Sequence, residues 1–211
     1  RDRLRSRGLG DVYKRQGLMT IHLITTDYAQ HATGLSSQRV KETVASADNA
    51  VGLIVENLRL TGKMDSTVVV VCGDHGFSSI ETAIAPNVWL TKMGLLSEKP
   101  GGEWKACFHR GGATMFLYLK DKDDRKTLKQ IKKMLSELPE STKGLFKTYD
   151  NEQLISMGAD TECVLAIEPI KGVTCLSNRT GEDVFEKKGG NHGYMSVSYT
   201  HLRAHETGAY L

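Results

Sequence analysis

The chain has 211 residues, 39% hydrophobic and 25% charged, enough for one sizeable domain with its own core and too apolar for a disordered chain. Its net charge of +3 comes from the ends, because residues 1–16 hold six Lys/Arg against two Asp/Glu whereas residues 17–196 hold 21 against 22. That near-neutral body excludes an electrostatic case for nucleic-acid binding, and no apolar run approaches the ~18 residues of a membrane span.

The first stretch, RDRLRSRGLGDVYKRQ (1–16), and the last, VSYTHLRAHETGAYL (197–211), resemble translated sequencing-adaptor read-through. A native basic arm and a frayed C-terminus are the plain alternative. Both ends are set aside from fold reasoning, and no signal peptide is visible. Residues 21–26 (IHLITT) read as a short buried strand, β-branched and ending at a polar cluster. Ser36 and Ser37 then offer an N-cap to a helix in which Val40, Val44, Ala47, Val51, Ile54, Val55 and Leu58 recur at helical spacing, closed by Gly62. Residues 67–72 (TVVVVC) form a continuous apolar run, as expected of a strand covered on both faces. Strand, long helix and strand predict a βαβ unit with a right-handed crossover.

Further on, residues 113–119 (ATMFLYL) read as a strand and residues 123–138 as an amphipathic helix with Leu128, Ile131, Leu135 and Leu138 on one side. Strands at 145–149 and 163–167 flank a short helix over 151–157. Glycine- and proline-rich joins are expected at 100–102, 111–112 and 189–190. The reading is α/β, with an irregular α+β insertion over about 95–175 and no internal repeat. Cys72, Cys107, Cys163 and Cys175 show no C-x-x-C spacing. Cys72 reads as a buried thiol, and a Cys163–Cys175 pair stays open for an exported protein.

Three stretches are rich in Asp, His and Gly. In TTDYAQHATG (25–34), Asp27 follows a predicted strand and His31 lies four residues on. Carboxyl ends of strands line the ligand crevice of open α/β sheets, and carboxylate and imidazole are both good zinc ligands; alone, the stretch reads as well as an N-cap with an exposed histidine. In VVVVCGDHGF (68–77), Asp74 and His75 sit directly after the valine run between Gly73 and Gly76. The glycines permit the bend that would turn both side chains to one ion, and a polar turn is the alternative. In KKGGNHGYM (187–195), His192 is bracketed by Gly189, Gly190 and Gly193, which alone describes a turn histidine.

Together, D-x-x-x-H, then D-H-G, then G-x-H-G resemble the nucleotide pyrophosphatase/phosphodiesterase family of the alkaline phosphatase superfamily, over most of residues 17–195. APNVWL (85–90) and GGNHGYM (189–195) are similar to a bacterial branch of alkaline phosphatase-like proteins. The resemblance implies a fragment of an alkaline phosphatase-like catalytic domain over 17–196, a mostly parallel sheet sandwiched by helices. It implies that Asp27, His31 and His192 hold one zinc, and that Asp74 and His75 help hold a second. A further aspartate and the threonine or serine nucleophile would lie upstream and are absent here, so the resemblance makes the fragment itself inactive. For the full-length parent it implies two-zinc hydrolysis of phosphate esters, most readily phosphodiester or pyrophosphate bonds of nucleotides, through a phospho-enzyme intermediate. It also implies a small-molecule phosphate-ester or nucleotide substrate and a periplasmic or secreted location. A phosphomonoesterase or sulfatase on the same scaffold, or a non-catalytic chain, remain alternatives that the absent upstream motifs would separate.

Other candidates carry less. His22 is expected to pack in a strand and His109 to be exposed on one. His201, His205 and Glu206 fall in the set-aside tail. Lys126, Lys129, Lys132 and Lys133 read as a solvated helix face.

Overall fold

In the computed structural model the described residues are 17–195; both set-aside ends lie outside them. Helix α1 (Thr25–Thr33) is closed by Gly34, whose N–H donates to Gln30 O at 3.0 Å. Helix α2 (Gln38–Leu60) starts at Ser37, whose side chain accepts from Val40 N–H at 3.2 Å, the cap expected from the serine pair.

Two sheets follow. The first contains β1 (Ser78–Ile84), β6 (Gly172–Cys175) and β7 (Val184–Asn191), in the order β6-β1-β7. β1 runs parallel to β6 and antiparallel to β7, with a register shift between Ile80 and Thr82. The second contains β2 (Ala106–Gly111), β3 (Thr114–Leu119), β4 (Phe146–Asp150) and β5 (Leu165–Pro169), in the order β2-β3-β5-β4, antiparallel throughout. The α-helices that remain are α3 (Pro86–Lys92), α4 (Arg125–Glu137), α5 (Glu140–Lys143) and α6 (Asn151–Ser156), and a 3-10 turn covers Met64–Ser66. The class is α/β, with parallel pairing among the described residues confined to β1 and β6.

The core lies between the sheets and α4. Phe108, Met115, Leu117, Ile131 and Ile167 belong to one buried cluster, with Ile84 and Trp89 from the first sheet and α3. Alternation on β3 explains the arrangement. Met115 and Leu117 face this cluster, whereas Phe116 and Tyr118 face a smaller one around Leu154, Cys163 and Ala166. All four cysteines are free. Cys163 and Cys175 lie in different clusters, so the open pairing is not made. Cys72 is exposed, not buried.

The predicted strands at 21–26 and 67–72 do not form. Thr25 and Thr26 open α1, and 67–72 carries no ladder. Val68 and Val70 are 89% and 77% exposed. A strand exists only by pairing its backbone groups, and no described segment pairs with either run, so the βαβ unit does not form. His22 is correspondingly exposed rather than packed. The expected join at 189–190 is strand: Gly189 and Gly190 belong to β7 and pair with Ile80 and Ser79. The amphipathic helix, the strands near 113–119, 145–149 and 163–167, and the helix from Asn151 all form at or within about two residues of their expected places.

Asn87 on α3 holds the free edge of β2. It is buried, its Nδ2 donates to Phe108 O at 2.9 Å, and its Oδ1 accepts from Phe108 N–H at 2.8 Å, so one side chain supplies what a neighbouring strand would. Asn87→Ala strands both backbone groups and should lower stability by about 2–4 kcal/mol, read as a lower urea midpoint at an unchanged slope. Asp124 caps α4, accepting from Thr127 N–H at 2.9 Å and from Thr127 Oγ1. Those bonds, the Thr127 hydroxyl first, hold its carboxyl below the ordinary value of 3.8. A folded value below the unfolded one gives stabilisation that is present above the unfolded value and lost as pH falls through the folded one. The melting temperature of the parent should therefore fall more than that of Asp124→Asn, which keeps a cap without a charge, between about pH 5 and pH 3.

Candidate metal centre

The candidate residues converge because three chain segments are stitched together at one end of the first sheet. β1 begins just after the D-H-G stretch, β7 ends just before His192, and their antiparallel register sets Ser78 opposite Asn191. His75 and His192 are thereby stacked, with ring centroids 3.7 Å apart at 13°. Helix α1 brings the third segment. Asp27 in its first turn and His31 in its last lie on one face at i, i+4, and α1 packs on β7. That packing requires glycine: a Cβ on Gly189 would lie 2.5 Å from His31 O, and one on Gly190 would lie 2.7 Å from Gln30 O. Gly189 also holds φ at +144°, where other side chains are strained.

Asp27 is the centre. Its Oδ1 lies 3.6 Å from His31 Nε2, 3.6 Å from His192 Nε2 and 3.8 Å from His75 Nε2. All three separations exceed hydrogen-bond length. Oδ1 is a buried atom with no hydrogen-bond partner, one of two such side-chain atoms among the described residues, whereas buried polar groups are ordinarily satisfied. One ligand atom each from Asp27, His31 and His192 fall within 4.8 Å of one another, a spacing that a single ion could bridge. An orphaned oxygen faced by imidazole nitrogens is a donor set that could hold a divalent cation.

The surroundings orient these nitrogens. His31 Nδ1 lies 3.0 Å from Gly190 O and His75 Nδ1 lies 3.2 Å from Gly76 O. A proton on each Nδ1 leaves Nε2 with its lone pair turned toward Asp27. His192 is fixed through its backbone. Its N–H donates to Asn191 Oδ1 at 3.0 Å and its carbonyl accepts from Ala113 N–H at 2.6 Å, while Asn191 Nδ2 donates to the buried Thr174 hydroxyl. Desolvation, followed by the nearby His75 and His31, holds the His192 imidazole below its ordinary 6.5, against Asp27 and Asp74. Phe77 stands edge-on to His31 and His192 at 4.9 and 5.1 Å, an apolar wall beneath the cluster.

Asp74 stands apart. Its side chain is 72% exposed and reaches the cluster only through His75, with Oδ2 at 3.5 Å from Nε2. Hydrogen bonding to its own amide, then the neighbouring His75, lowers its carboxyl against a desolvation effect of the opposite sign. Asp27, His31, His75 and His192 are therefore brought together around one oxygen, and Asp74 is brought to their rim. Sequence reasoning missed Asn191 and Phe77 as supports. The signal for Asn191 was its place between the glycine pair and the histidine. His109 is exposed on β2, where it meets Tyr118 edge-on at 5.3 Å.

Comparison with known proteins bears on the fold and on the family. The fold is similar to murine ectonucleotide pyrophosphatase/phosphodiesterase 5, an inactive variant in complex with AMP, at 15% identity and a TM-score of 0.55, over 80% of this chain and 40% of that one. It is similar to the human ectonucleotide pyrophosphatase/phosphodiesterase 5 at 14% identity and a TM-score of 0.57, again over 80% and 40%. The chain thus spans about 40% of the length of these neighbours. No curated protein matches it by sequence. The sequence model for type I phosphodiesterase / nucleotide pyrophosphatase matches residues 2–195, nearly the whole chain, and the protein belongs to that family.

Proposed function

We propose that the full-length protein is a metal-dependent hydrolase of phosphodiester or pyrophosphate bonds in nucleotides, and that this chain carries most of its metal-binding side chains. The observation that supports the reading best is Asp27 Oδ1, buried, unbonded and faced by three imidazole Nε2 atoms at 3.6–3.8 Å. Asp27, His31 and His192 would hold one zinc, and His75 with Asp74 would contribute to a second. The AMP held by the murine neighbour favours a nucleotide as substrate. Both neighbours are ecto-enzymes by name, in keeping with a periplasmic or secreted parent; among the described residues no helix is long and apolar enough to cross a membrane.

A pair of zinc ions supplies positive charge to the attacking and leaving oxygens of an in-line displacement. The chain's own residues prepare for that. His31 and His75 present Nε2 because their Nδ1 atoms lie against backbone carbonyls. Partial burial lowers the pKa of His192, which favours the neutral ring that can donate a lone pair. Phe77 keeps one side of the cluster apolar, which strengthens electrostatic interactions there. The hydroxyl that attacks phosphorus, and the phospho-enzyme it would form, belong to residues outside the Asp/His set described here.

The reading is tested by zinc titration of this chain and by turnover of a nitrophenyl phosphodiester by the full-length parent. Zinc should bind this chain, and His192→Ala should weaken binding by more than the roughly 10–100-fold that loss of an outer-shell partner costs. The parent should hold about two zinc ions and turn over the diester, with both properties lost in His192→Ala. A folded parent with neither zinc nor turnover would leave the non-catalytic alternative in its place. Binding should also weaken in acid, since protonated imidazole donates no lone pair. His192, which partial burial holds below 6.5, should take up its proton at a lower pH than an ordinary imidazole, as read by its ring resonances across a pH titration of the metal-free chain.

A further inference from the structure

The second sheet contributes none of the Asp/His set, yet it grips the segment that follows His192. Glu168 on β5 is 2% exposed. Its Oε1 accepts from Met195 N–H at 3.1 Å, and its Oε2 accepts from the Tyr149 hydroxyl at 2.8 Å. Tyr149 lies on the adjoining strand β4. One carboxylate oxygen is therefore tied within the second sheet, and the other is tied to the chain three residues beyond His192. Burying a carboxylate is costly and is tolerated when its oxygens are hydrogen-bonded. An apolar side chain of similar size would fill the same space at least as well, so filling space does not account for a carboxylate here.

Further bonds converge on the same four residues. Ala113 N–H donates to His192 O at 2.6 Å, Thr114 N–H donates to Gly193 O at 3.2 Å, and the Tyr194 hydroxyl donates to Val173 O at 2.8 Å. Gly112 and Gly193 cross so closely that a Cβ on Gly193 would lie 2.5 Å from Gly111 O. Glu168 brings an ionisable side chain to this grip. It acts at the far end of the segment, opposite Asn191, which holds the near end.

We propose that Glu168 is a positioning residue: by accepting from Met195 N–H it fixes the 192–195 segment and so holds His192 Nε2 toward Asp27. The inference rests on the reading of Asp27, His31 and His192 as a cation site. It gives the second sheet a part in that site through hydrogen bonds rather than ligation, as outer-shell groups do.

The test compares Glu168→Ala and Glu168→Gln with the parent in the full 211-residue chain. Glutamine keeps an oxygen for Met195 N–H and turns its amide to the Tyr149 hydroxyl oxygen. Cobalt(II) is the probe, followed by its visible absorption, and amide hydrogen exchange at 192–195 is the second readout. Glu168→Ala should bind cobalt roughly 10–100-fold more weakly and exchange faster at Met195, whereas Glu168→Gln should stay within about threefold of the parent on both. Asn87→Ala, destabilised but outside this grip, should keep the parent's cobalt affinity. Unchanged affinity and exchange in Glu168→Ala would overturn the inference. So would equal weakening in Glu168→Gln or in Asn87→Ala, because charge alone or general instability would then explain the effect. If the parent takes up no cobalt, the cation reading fails. The exchange comparison alone then decides: faster exchange at Met195 in alanine with recovery in glutamine keeps the positioning role, and no change removes it.

Discussion

The antiparallel pairing of β1 with β7 is the constraint on which the site depends. Ser78 opposite Asn191 fixes where two distant histidines meet, since one lies just before β1 and the other just after β7. A slip of one residue would turn each side chain to the other face of the sheet and separate the stacked rings of His75 and His192. The helix carrying Asp27 and His31 can then approach only because β7 presents two glycines where α1 lies against it. Pairing register, glycine and helix periodicity together place three imidazoles around one carboxylate oxygen.

The two sheets divide the work. The first positions the Asp/His cluster through its strand ends. The second provides more of the buried apolar side chains and holds the chain from His192 on with N–H donors from Ala113 and Thr114 and a carboxylate acceptor from Glu168. Even the edge of that second sheet is tied back toward the first, through Asn87 on the helix that follows β1. The polar residues buried between the sheets, Asn87, Thr174, Glu168 and Asn191, each bond to a backbone or side-chain group that sets a register or a loop.

Much of this was legible in the sequence where the signals are local, even on α2, whose one buried residue is Val40. Ser37 and the stripe beginning at Val40 gave α2, and Leu128, Ile131 and Leu135 gave α4, because capping and a 3.6-residue period are local. The residues of the cluster were legible as three Asp/His/Gly stretches, but their convergence was not, because it depends on a pairing between residues more than a hundred positions apart. β7 was hidden for a related reason. VFEKKGGN lies at a sheet edge, with charged residues outward and glycine inward, and so has neither the alternation nor the β-branching that marks a strand. The valine run at 68–71 erred the other way: its composition signals a strand, yet no described partner pairs with it. Composition measures the tendency to fit a sheet, and pairing decides whether one exists.

The bond from His31 to Gly190 joins residues 159 positions apart. An ion held by Asp27, His31 and His192 would cross-link the chain over the same stretch and slightly more. Closing so long a loop costs the unfolded chain entropy that grows only slowly with its length, and a ligand that binds only the closed form shifts the balance toward it by mass action. Occupancy would then add to the stability of a chain whose core already folds it. The ion would act as a removable staple, and metal supply would set how firmly the ends of that span are held together as well as what the folded chain can do.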